Sequence, residues 1–268
     1  MSIIYLTSVS GAPGVSTLAT ALTVNWPRPS LLLEADISKT TQLIPGYLRA
    51  EYEHSLGLTK AALANRRGDL NAGTLFEQTI SLGEGRYAIP GFEDVGGAHG
   101  STPAFWSNMT TALDRLPHEI GVRELDIIVD AGRHRPSDAR ATLISQADAV
   151  LVLSGNTLPD SNALYNTMPP LLQMLENAGH QEYLNLVLTQ NPAPRGFGPS
   201  VYGPKELHAL LGINTIETFP WDPGAAAHFA YGAHAPARKS PYMKKLDSLI
   251  ASLETTLSSR RYVPQEAN

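Results

Sequence analysis

The sequence predicts an α/β fold, a three-layer αβα sandwich built on a mostly parallel central sheet. Three observations support this class. Residues 3–17 pass from an apolar, β-branched run through a glycine-proline turn into a helix-forming segment. Two further short apolar runs, 30–36 and 125–130, end in acidic residues, as buried parallel strands do at their carboxyl edge. From residue 149 onward strands and helices alternate, which implies parallel crossovers and a sheet covered on both faces.

The composition is that of an ordinary globular protein. The chain has 268 residues, of which 43% are hydrophobic and 17% charged, and such a chain can bury a substantial core. We therefore expect one domain over residues 1–257 and a disordered C-terminal tail over 258–268. The formal net charge of -5 does not indicate DNA binding, although a local cluster of Lys and Arg would permit non-specific DNA contact.

The sequence lacks two features, and each absence excludes certain kinds of site or segment. The sequence contains no cysteine, which excludes disulfides, thiolate metal sites and a cysteine nucleophile. The N-terminus lacks the basic and apolar regions of a signal peptide, and no apolar run approaches the roughly 20 residues that span a bilayer. We expect a soluble, cytoplasmic protein that does not associate with membranes.

In the first half of the chain, a helix is predicted over 16–26, where Pro27 and Pro29 stop it. The apolar run 30–35 is predicted to be a buried strand. Residues 36–49 show little periodicity and indicate a loop with a helix fragment. The other predicted elements of this half are helices over 56–67 and 70–78, a strand over 86–89 that enters a glycine-rich loop, and a helix over 103–116.

In the second half the alternation is regular. Residues 125–130 predict another buried strand, and residues 131–136 a polar, basic loop. The predicted elements that follow are strand 149–153, helix 160–177, strand 184–189, helix 204–211 and strand 215–218. Residues 242–257 carry leucines at helical spacing. Because the polar face of that helix has acids as well as lysines, we expect it to pack on the core rather than to anchor the chain in a membrane.

The turn at the first strand is similar to a phosphate-binding loop. The pattern G-x-x-x-x-G-K-[ST] arranges backbone N–H groups around a phosphate, adds a lysine for the outer phosphates and places a hydroxyl on magnesium. Residues Gly11 to Gly14 can be laid on this pattern with Ser16 at the hydroxyl position, but Val15 stands where the lysine should be. The helix N-terminus after the loop still favours an anion. An ordinary strand-to-helix turn explains the loop equally well when it is taken alone.

Acidic residues follow two of the predicted strands at the same sheet edge. Glu34 and Asp36 lie at the end of the second strand, and Asp130 ends the strand 125–130. Ligands bind at this edge in open α/β sheets, but an acid at a strand end is also often a solvated residue or a helix cap. Lys39 and Arg133 lie just beyond these ends and could swing inward as substitute cations, although loop lysines and arginines are usually solvated.

Taken together, these segments resemble the ParA/MinD group of deviant Walker-A ATPases, P-loop proteins of the SIMIBI class that position plasmids, chromosomes and division machinery. SGAPGVST at 10–17 resembles the group's K-G-G-x-G-K-[ST]-T loop. LLLEAD at 31–36 resembles its V-L-L-I-D-x-D segment, and DIIVD at 126–130 resembles its Walker-B strand. LVLTQN at 186–191 and FPWDP at 219–223 are similar to the two segments that contact adenine in relatives.

The resemblance implies a P-loop NTPase fold, a nucleotide site, and ATP or ADP with Mg²⁺ as cofactors. Asp36 would be the catalytic residue that positions the attacking water. The metal would be held by Ser16 and by Asp130, the latter through water. The residues implied in nucleotide binding are Gly11, Ala12, Pro13, Gly14, Val15, Ser16, Thr17, Asn191, Pro220 and Asp222.

Two departures from the group's pattern bear on hydrolysis. Ser10 replaces the signature lysine that reaches across a nucleotide-bridged dimer, and Val15 replaces the lysine on the outer phosphates. Each lost cation is expected to lower the hydrolysis rate by ~10²-fold or more. A bacterial subgroup of ParA-like proteins is resembled by four segments, GAPGVST at 11–17, WPRP at 26–29, EAD at 34–36 and PWDP at 220–223. This resemblance implies that the loss of both lysines is a trait of the subgroup. We therefore expect weak or no hydrolysis and action through a protein partner or cargo adaptor, with a homodimer as a further expectation.

Two alternatives remain open at this point. The first is a working ATPase that dimerises on ATP, with Lys39 or Arg133 supplying the missing charge. The second is an interaction module that has kept the fold and lost the ligand, with Val15 and Pro13 packed inward.

Overall fold

The computed structural model describes residues 1–10, 14–99, 101–135, 139–190 and 202–261. The strands within these ranges are β1 Ile3–Ser8, β2 Ser30–Glu34, β3 Ile80–Gly83, β4 Arg86–Ile89, β5 Asp126–Arg133, β6 Ala149–Gly155, β7 Leu184–Thr189 and β8 Thr215–Phe219. The helices are α1 Val15–Asn25, α2 Leu58–Arg67, α3 Ala72–Phe76, α4 Val95–His99, α5 Pro103–Ile120, α6 Ala141–Ser145, α7 Leu158–Asn177, α8 Pro204–Leu211, α9 Pro223–Tyr231 and α10 Pro241–Arg261.

The strands form one sheet in the order β3-β4-β2-β5-β1-β6-β7-β8 across the described residues. Every neighbouring pair in it is parallel except β3 with β4, which is antiparallel. This arrangement confirms the predicted α/β sandwich with a mostly parallel sheet. Because β1, β2 and β5 are neighbours, their carboxyl ends lie side by side, and Asp130 is in register with both Leu6 and Glu34.

Helices cover both faces of the sheet, and each face has its own hydrophobic core. Along β1, Ile3 and Tyr5 pack into one core, whereas Ile4 and Leu6 pack into the other. This is the alternation that a strand requires when both of its faces are buried. It explains why the strands are continuous apolar runs in the sequence.

The core on the side of α1 also contains the last helix. Leu246, Leu249 and Leu253 of α10 are fully buried in it, which confirms that this helix packs on the protein body. None of the helices in the described part of the chain combines the length and apolarity that crossing a bilayer requires.

The W-P-R-P segment after α1 fastens the opposite, amino-terminal edge of the sheet. The carboxylate of Asp126, at the start of β5, accepts hydrogen bonds from Trp26 Nε1 at 2.9 Å and from Arg28 Nε at 2.8 Å. It also accepts one from the backbone N–H of Ser2 at 2.9 Å. Trp26 and Asp126 are buried, so this network closes α1 onto the first residues of β1 and β5.

The structure differs from the sequence prediction in several elements. The predicted helix fragment within 36–49 is absent, and these residues form turns. The predicted basic loop after residue 130 begins later, because β5 continues to Arg133. The last helix continues past its predicted end at Leu257 to Arg261. Elements that the sequence did not predict are β3, α4, α6 and α9.

Candidate nucleotide-binding site

The candidate site lies where β1, β2 and β5 end and α1 begins. A cavity of about 620 Å³ opens there. The carboxyl edge of a parallel sheet and the N-terminus of a helix are both places where α/β proteins bind anions. The cavity is lined by the hydroxyl of Ser16 and by side chains of both charges, namely Glu34, Asp36, Lys39, Asp130 and Arg133.

Helix α1 begins at the predicted phosphate loop. Gly14 caps it at a φ of 95°, a left-handed conformation that glycine adopts without strain. Val15 is buried in the core on this side of the sheet, whereas Ser16 and Thr17 are half-buried and line the cavity. The loop residues that fall outside the described residues are Gly11, Ala12 and Pro13.

Lys39 enters the cavity and contacts the helix start. Its Nζ donates a hydrogen bond to Ser16 Oγ at 2.8 Å and lies 3.4 Å from Asp36 Oδ2. Burial alone would lower the pKa of Lys39, but the negative charges of Asp130, Asp36 and Glu34 raise it above its usual value. Of the two residues considered as substitute cations, Lys39 therefore does turn inward and stays charged.

The carboxylate of Asp36 is engaged by its own loop. Oδ1 accepts hydrogen bonds from the backbone N–H of Ser38 at 2.8 Å and from its hydroxyl at 2.6 Å, while Oδ2 faces Lys39. Gly132 passes so close that a Cβ atom there would lie 2.0 Å from Asp36 Oδ2. Only glycine fits at this position, since its φ of +56° also disfavours other residues.

Asp130 lies at the bottom of the cavity and is 2% exposed. Oδ1 accepts a hydrogen bond from the backbone N–H of Gly132 at 3.0 Å. Burial raises the pKa of Asp130, and the charge of Lys39 and a hydrogen bond from the Ser16 side chain oppose this rise. The hydroxyl of Ser16 thus stands between the ammonium of Lys39 and the carboxylate of Asp130.

Glu34 has a structural role at the edge of the site. One of its oxygens accepts from Thr41 Oγ1 and from the N–H of Gly91, the latter at 2.7 Å. The other accepts from the N–H groups of Gln42 and Leu43. Burial raises the pKa of this carboxyl, while the hydrogen bonds from Thr41, Gln42 and Gly91 oppose the rise. Glu34 therefore ties the segment after Lys39 to the end of β4.

Arg140 is a part of the site that the sequence analysis missed. Its side chain is fully buried, and Nη1 donates to the carbonyl oxygens of Ala35, at 2.9 Å, and Ala131. Nη2 donates to the carbonyl of Arg133 at 3.1 Å. The guanidinium thus holds the ends of β2 and β5 together behind the acids. No sequence signal separates Arg140 from the exposed arginines near it.

Arg133 and His134, in the segment predicted to be a basic loop, differ in their exposure. Arg133 is exposed and lines the cavity. His134 is buried, and its backbone N–H donates to the carbonyl of Ser8 at 2.8 Å. The segment therefore extends the pairing of β5 with β1 beside the phosphate loop.

A second cavity, of about 560 Å³, adjoins the first. It is lined by Pro220, Trp221 and Asp222, and it shares Gly14 and Thr17 with the first cavity. Asp222 is also the N-cap of α9, because its Oδ1 accepts from the N–H of Ala225 at 3.0 Å. The structure thus brings Pro220 and Asp222 next to the described loop residues, while Asn191 lies outside the described residues.

The resemblance implies a magnesium ion at Ser16 and Asp130. Mg²⁺ takes oxygen ligands at about 2.0–2.1 Å, and Ser16 and Asp130 offer oxygens of the right chemistry. However, Ser16 Oγ already accepts a hydrogen bond from Lys39 Nζ, and an ammonium so close repels a divalent ion. Across the described ranges, no group of three or more histidine or acidic side chains is arranged to hold a metal. With Lys39 in this position, the residues do not fit the ion.

Comparison with solved structures identifies the fold of this chain. No protein-family model and no curated protein matches the sequence. A chain of the MinC:MinD cell division protein complex of Aquifex aeolicus is similar with a TM-score of 0.67 and 15% identity, over 95% of this chain and 96% of that one. The septum site-determining protein MinD of Pyrococcus horikoshii, complexed with Mg-ADP, has a TM-score of 0.67 and 14% identity, over 98% and 99% of the two chains.

A ParA family ATPase from Chlorobium tepidum is similar as well, with a TM-score of 0.66 and 14% identity over 94% of this chain and 98% of that chain. Identities this low are evidence of common architecture alone, and the coverage extends it to nearly the whole chain. The chain has the ParA/MinD-like P-loop α/β fold.

Proposed function

We propose that this chain is a nucleotide-binding protein of the ParA/MinD-like positioning type, which binds ATP or ADP with weak or no hydrolysis and acts through a protein partner or cargo adaptor. The observation that carries the proposal is the pair of adjoining cavities, about 620 and 560 Å³, which share Gly14 and Thr17 at the start of α1. One cavity has the charged groups suited to phosphates, and the other has an apolar wall suited to a base.

The phosphates are assigned to the first cavity. The N–H groups at the start of α1 point toward it and favour an anion through the helix dipole. Lys39 and Arg133 bring positive charge to a cavity that also holds three carboxylates. In this proposal, residues 11–17 surround the phosphates, and Lys39 balances the nearest acids so that an anion can approach.

The base is assigned to the second cavity. Pro220 and the exposed ring of Trp221 form part of its wall, and flat apolar surfaces of this kind suit an aromatic base. Asn191 and Asp222 are proposed to border the base. This assignment rests on the position of the cavity beside Thr17 and on the resemblance of FPWDP to an adenine-contacting segment.

Weak hydrolysis is proposed from the surroundings of Asp36. Oδ1 of Asp36 accepts two hydrogen bonds from Ser38 and Oδ2 faces Lys39, so these groups compete with an attacking water for the carboxylate. Both lysines of the ATPase loop are also missing, at Ser10 and Val15. Each of these features lowers the expected rate of phosphoryl transfer.

Action through a partner is proposed by analogy with the Aquifex aeolicus MinC:MinD complex, in which a protein of this fold is bound to another. A homodimer is likewise proposed by analogy with proteins of this fold. The net charge of -5 gives no support to DNA as the partner.

One observation favours the alternative of an interaction module without a ligand. Val15 is 6% exposed and belongs to the core, so the residue that replaces the loop lysine contributes to packing. The alternative of a working ATPase draws support from the inward position of Lys39, but the same contact engages Asp36.

Calorimetry with ATP, ADP and a non-hydrolysable analogue tests the proposal, with and without magnesium. We expect saturable heat for the wild type and none for Gly14→Asp, which places a carboxylate at the phosphates. Gly68→Asp is the matched control, since both glycines have positive φ and open space around a Cβ atom. Absence of heat and of any thermal shift at millimolar nucleotide would reject nucleotide binding and leave the interaction module.

A phosphate-release assay then separates weak hydrolysis from an active ATPase. The proposal expects turnover close to the background of the assay. Substantial turnover that Asp36→Ala abolishes would instead establish the ATPase, and turnover that this variant leaves unchanged would indicate contamination.

A further inference from the structure

The ammonium of Lys39 lies among the side chains that the resemblance assigns to a metal ion and its water. It is 2.8 Å from Ser16 Oγ and 3.4 Å from Asp36 Oδ2, and Asp130 accepts a hydrogen bond from the same Ser16 side chain. These three residues are the ones expected to arrange a magnesium ion and its water. Each of them is engaged directly or through one hydrogen bond with Lys39.

We propose that Lys39 is the resident cation of this site and takes the place of magnesium, so that nucleotide binding requires no divalent metal. The inference rests on the proposed function, because it concerns how the charge of the bound phosphates is balanced. It changes the role expected for Ser16 and Asp130, which hold an ammonium rather than a metal.

Charge and geometry support this assignment. An ammonium group has three N–H donors, and the contacts with Ser16 and Asp36 use two of them. The third can bind a phosphate oxygen at the open side of the cavity. A magnesium ion within bonding distance of Ser16 Oγ would come close to Nζ, where the repulsion of like charges opposes its entry.

Hydrogen bonds on both sides of Lys39 fix the turn that carries it. The backbone N–H and hydroxyl of Ser38 both bind Asp36 Oδ1, which fixes the turn between Asp36 and Lys39. Beyond it, the N–H groups of Gln42 and Leu43 bind the buried Glu34. Lys39 is therefore held between two anchored points. In this scheme Asp36 is a positioning residue for Lys39.

Nucleotide titration in the presence of EDTA or of millimolar magnesium tests the inference on the wild type itself. The expected result is the same affinity, within about twofold, in both conditions. Lys39→Met should bind about tenfold or more weakly in EDTA, and magnesium should restore most of that loss. Wild-type binding that occurs only with magnesium would overturn the inference and return Ser16 and Asp130 to the role of metal ligands.

Lys60→Met is the matched control. It removes an ammonium that lies 3.4 Å from the Glu53 carboxylate, as Lys39 does from Asp36, but at an exposed position on α2. Its affinity in EDTA should equal that of the wild type. An equal loss in both variants would show that removal of any lysine has this effect and would overturn the assignment to Lys39.

A measurement without nucleotide separates this inference from the proposed function. Magnesium should leave the melting temperature of the wild type unchanged and should raise that of Lys39→Met, because removal of the ammonium leaves the acids to a metal. Lys39→Gln is the second variant if Lys39→Met does not fold. A melting temperature that rises equally in wild type and variant, or in neither, would overturn the inference whether or not a nucleotide binds.

Discussion

Lys39 Nζ donates a hydrogen bond to Ser16 Oγ across 2.8 Å, although the two residues are 23 positions apart in the chain. The contact joins the turn after β2 to the first turn of α1. It brings a positive charge to the place where the phosphate loop has lost its own lysine, at Val15.

Replacement of Glu34 should destabilise the protein strongly. Its two oxygens accept four hydrogen bonds, three of them from backbone N–H groups. In Glu34→Gln the amide NH₂ must face at least one of those N–H donors in either orientation. We expect a loss of roughly 2–4 kcal/mol in the free energy of unfolding by urea denaturation. Glu84→Gln, at an exposed turn, should change little, and equal stability of the two variants would contradict the role of Glu34.

Gly132→Ala should disrupt the site through a collision with Asp36. The new Cβ would lie 2.0 Å from Asp36 Oδ2, and this overpacking should cost about 1–3 kcal/mol beyond the backbone strain. Gly121→Ala measures that strain alone, since Gly121 also has a positive φ but open space around a Cβ atom. Its expected cost is about 1–2 kcal/mol. If Gly132→Ala and Gly121→Ala lose the same free energy of unfolding in thermal and urea denaturation, then a Cβ atom at position 132 does not collide with Asp36.

Asp126→Ala should destabilise the fold without altering the site. The change leaves the buried indole N–H of Trp26 without its acceptor and removes the carboxylate paired with Arg28. Loss of one partner from a buried charged network costs about 3–5 kcal/mol, which urea unfolding can measure. The folded variant should keep the nucleotide affinity of the wild type, because Asp126 lies at the opposite edge of the sheet. Asp114→Ala, at an exposed position, is the control.

The pair formed by Glu217 and Lys245 should give a pH-dependent contribution to stability. Burial would raise the pKa of Glu217, but hydrogen bonds from Lys245 and Ser248 outweigh it and lower that pKa below 4.5. A depressed carboxyl pKa stabilises the folded state above the unfolded value and loses this effect as the pH falls through the folded value. Lys245→Met should therefore be less stable than the wild type at neutral pH, and the difference should shrink below about pH 4.5.

Lys244→Met removes the neighbouring exposed lysine and serves as the control for that series. Its stability should follow that of the wild type from neutral to acidic pH in thermal unfolding. A constant difference between Lys245→Met and the wild type across the acidic range would contradict the coupling between Lys245 and the ionisation of Glu217.

Nucleotide binding should change the fluorescence of Trp221. This ring is 58% exposed and lines the second cavity, whereas Trp26 and Trp106 are fully buried. A base in that cavity should quench the exposed indole, and Trp221→Phe should abolish most of the signal while calorimetry still detects binding. A signal of full size in Trp221→Phe would place the base elsewhere.

The sequence predicts the sheet well because its inner strands are buried on both faces and are therefore continuous apolar runs, as in 30–35 and 125–130. It does not predict β3, a short edge strand in which only Ile80 is buried. Nor does it predict α9, because P-W-D-P looks like a loop until Asp222 is seen to cap a helix.

The site is predictable only in part for a related reason. The parallel pairing of β2 and β5 places Glu34 and Asp130 at one edge of the sheet, as the sequence predicts. The contacts of Lys39 and Arg140 depend on how loops fold over that edge, and local sequence does not encode the direction of a long, charged side chain. The close approach of Gly132 to Asp36 is likewise a tertiary relationship.

Titration of the wild-type protein with ADP in EDTA is the decisive measurement for the nucleotide site and for the role of Lys39. We expect saturable heat and an unchanged affinity when magnesium is added, because Lys39 supplies the cation at Ser16. Absence of heat with ADP, ATP and a non-hydrolysable analogue in every condition would contradict the nucleotide site. Heat that develops only with magnesium would contradict the role of Lys39.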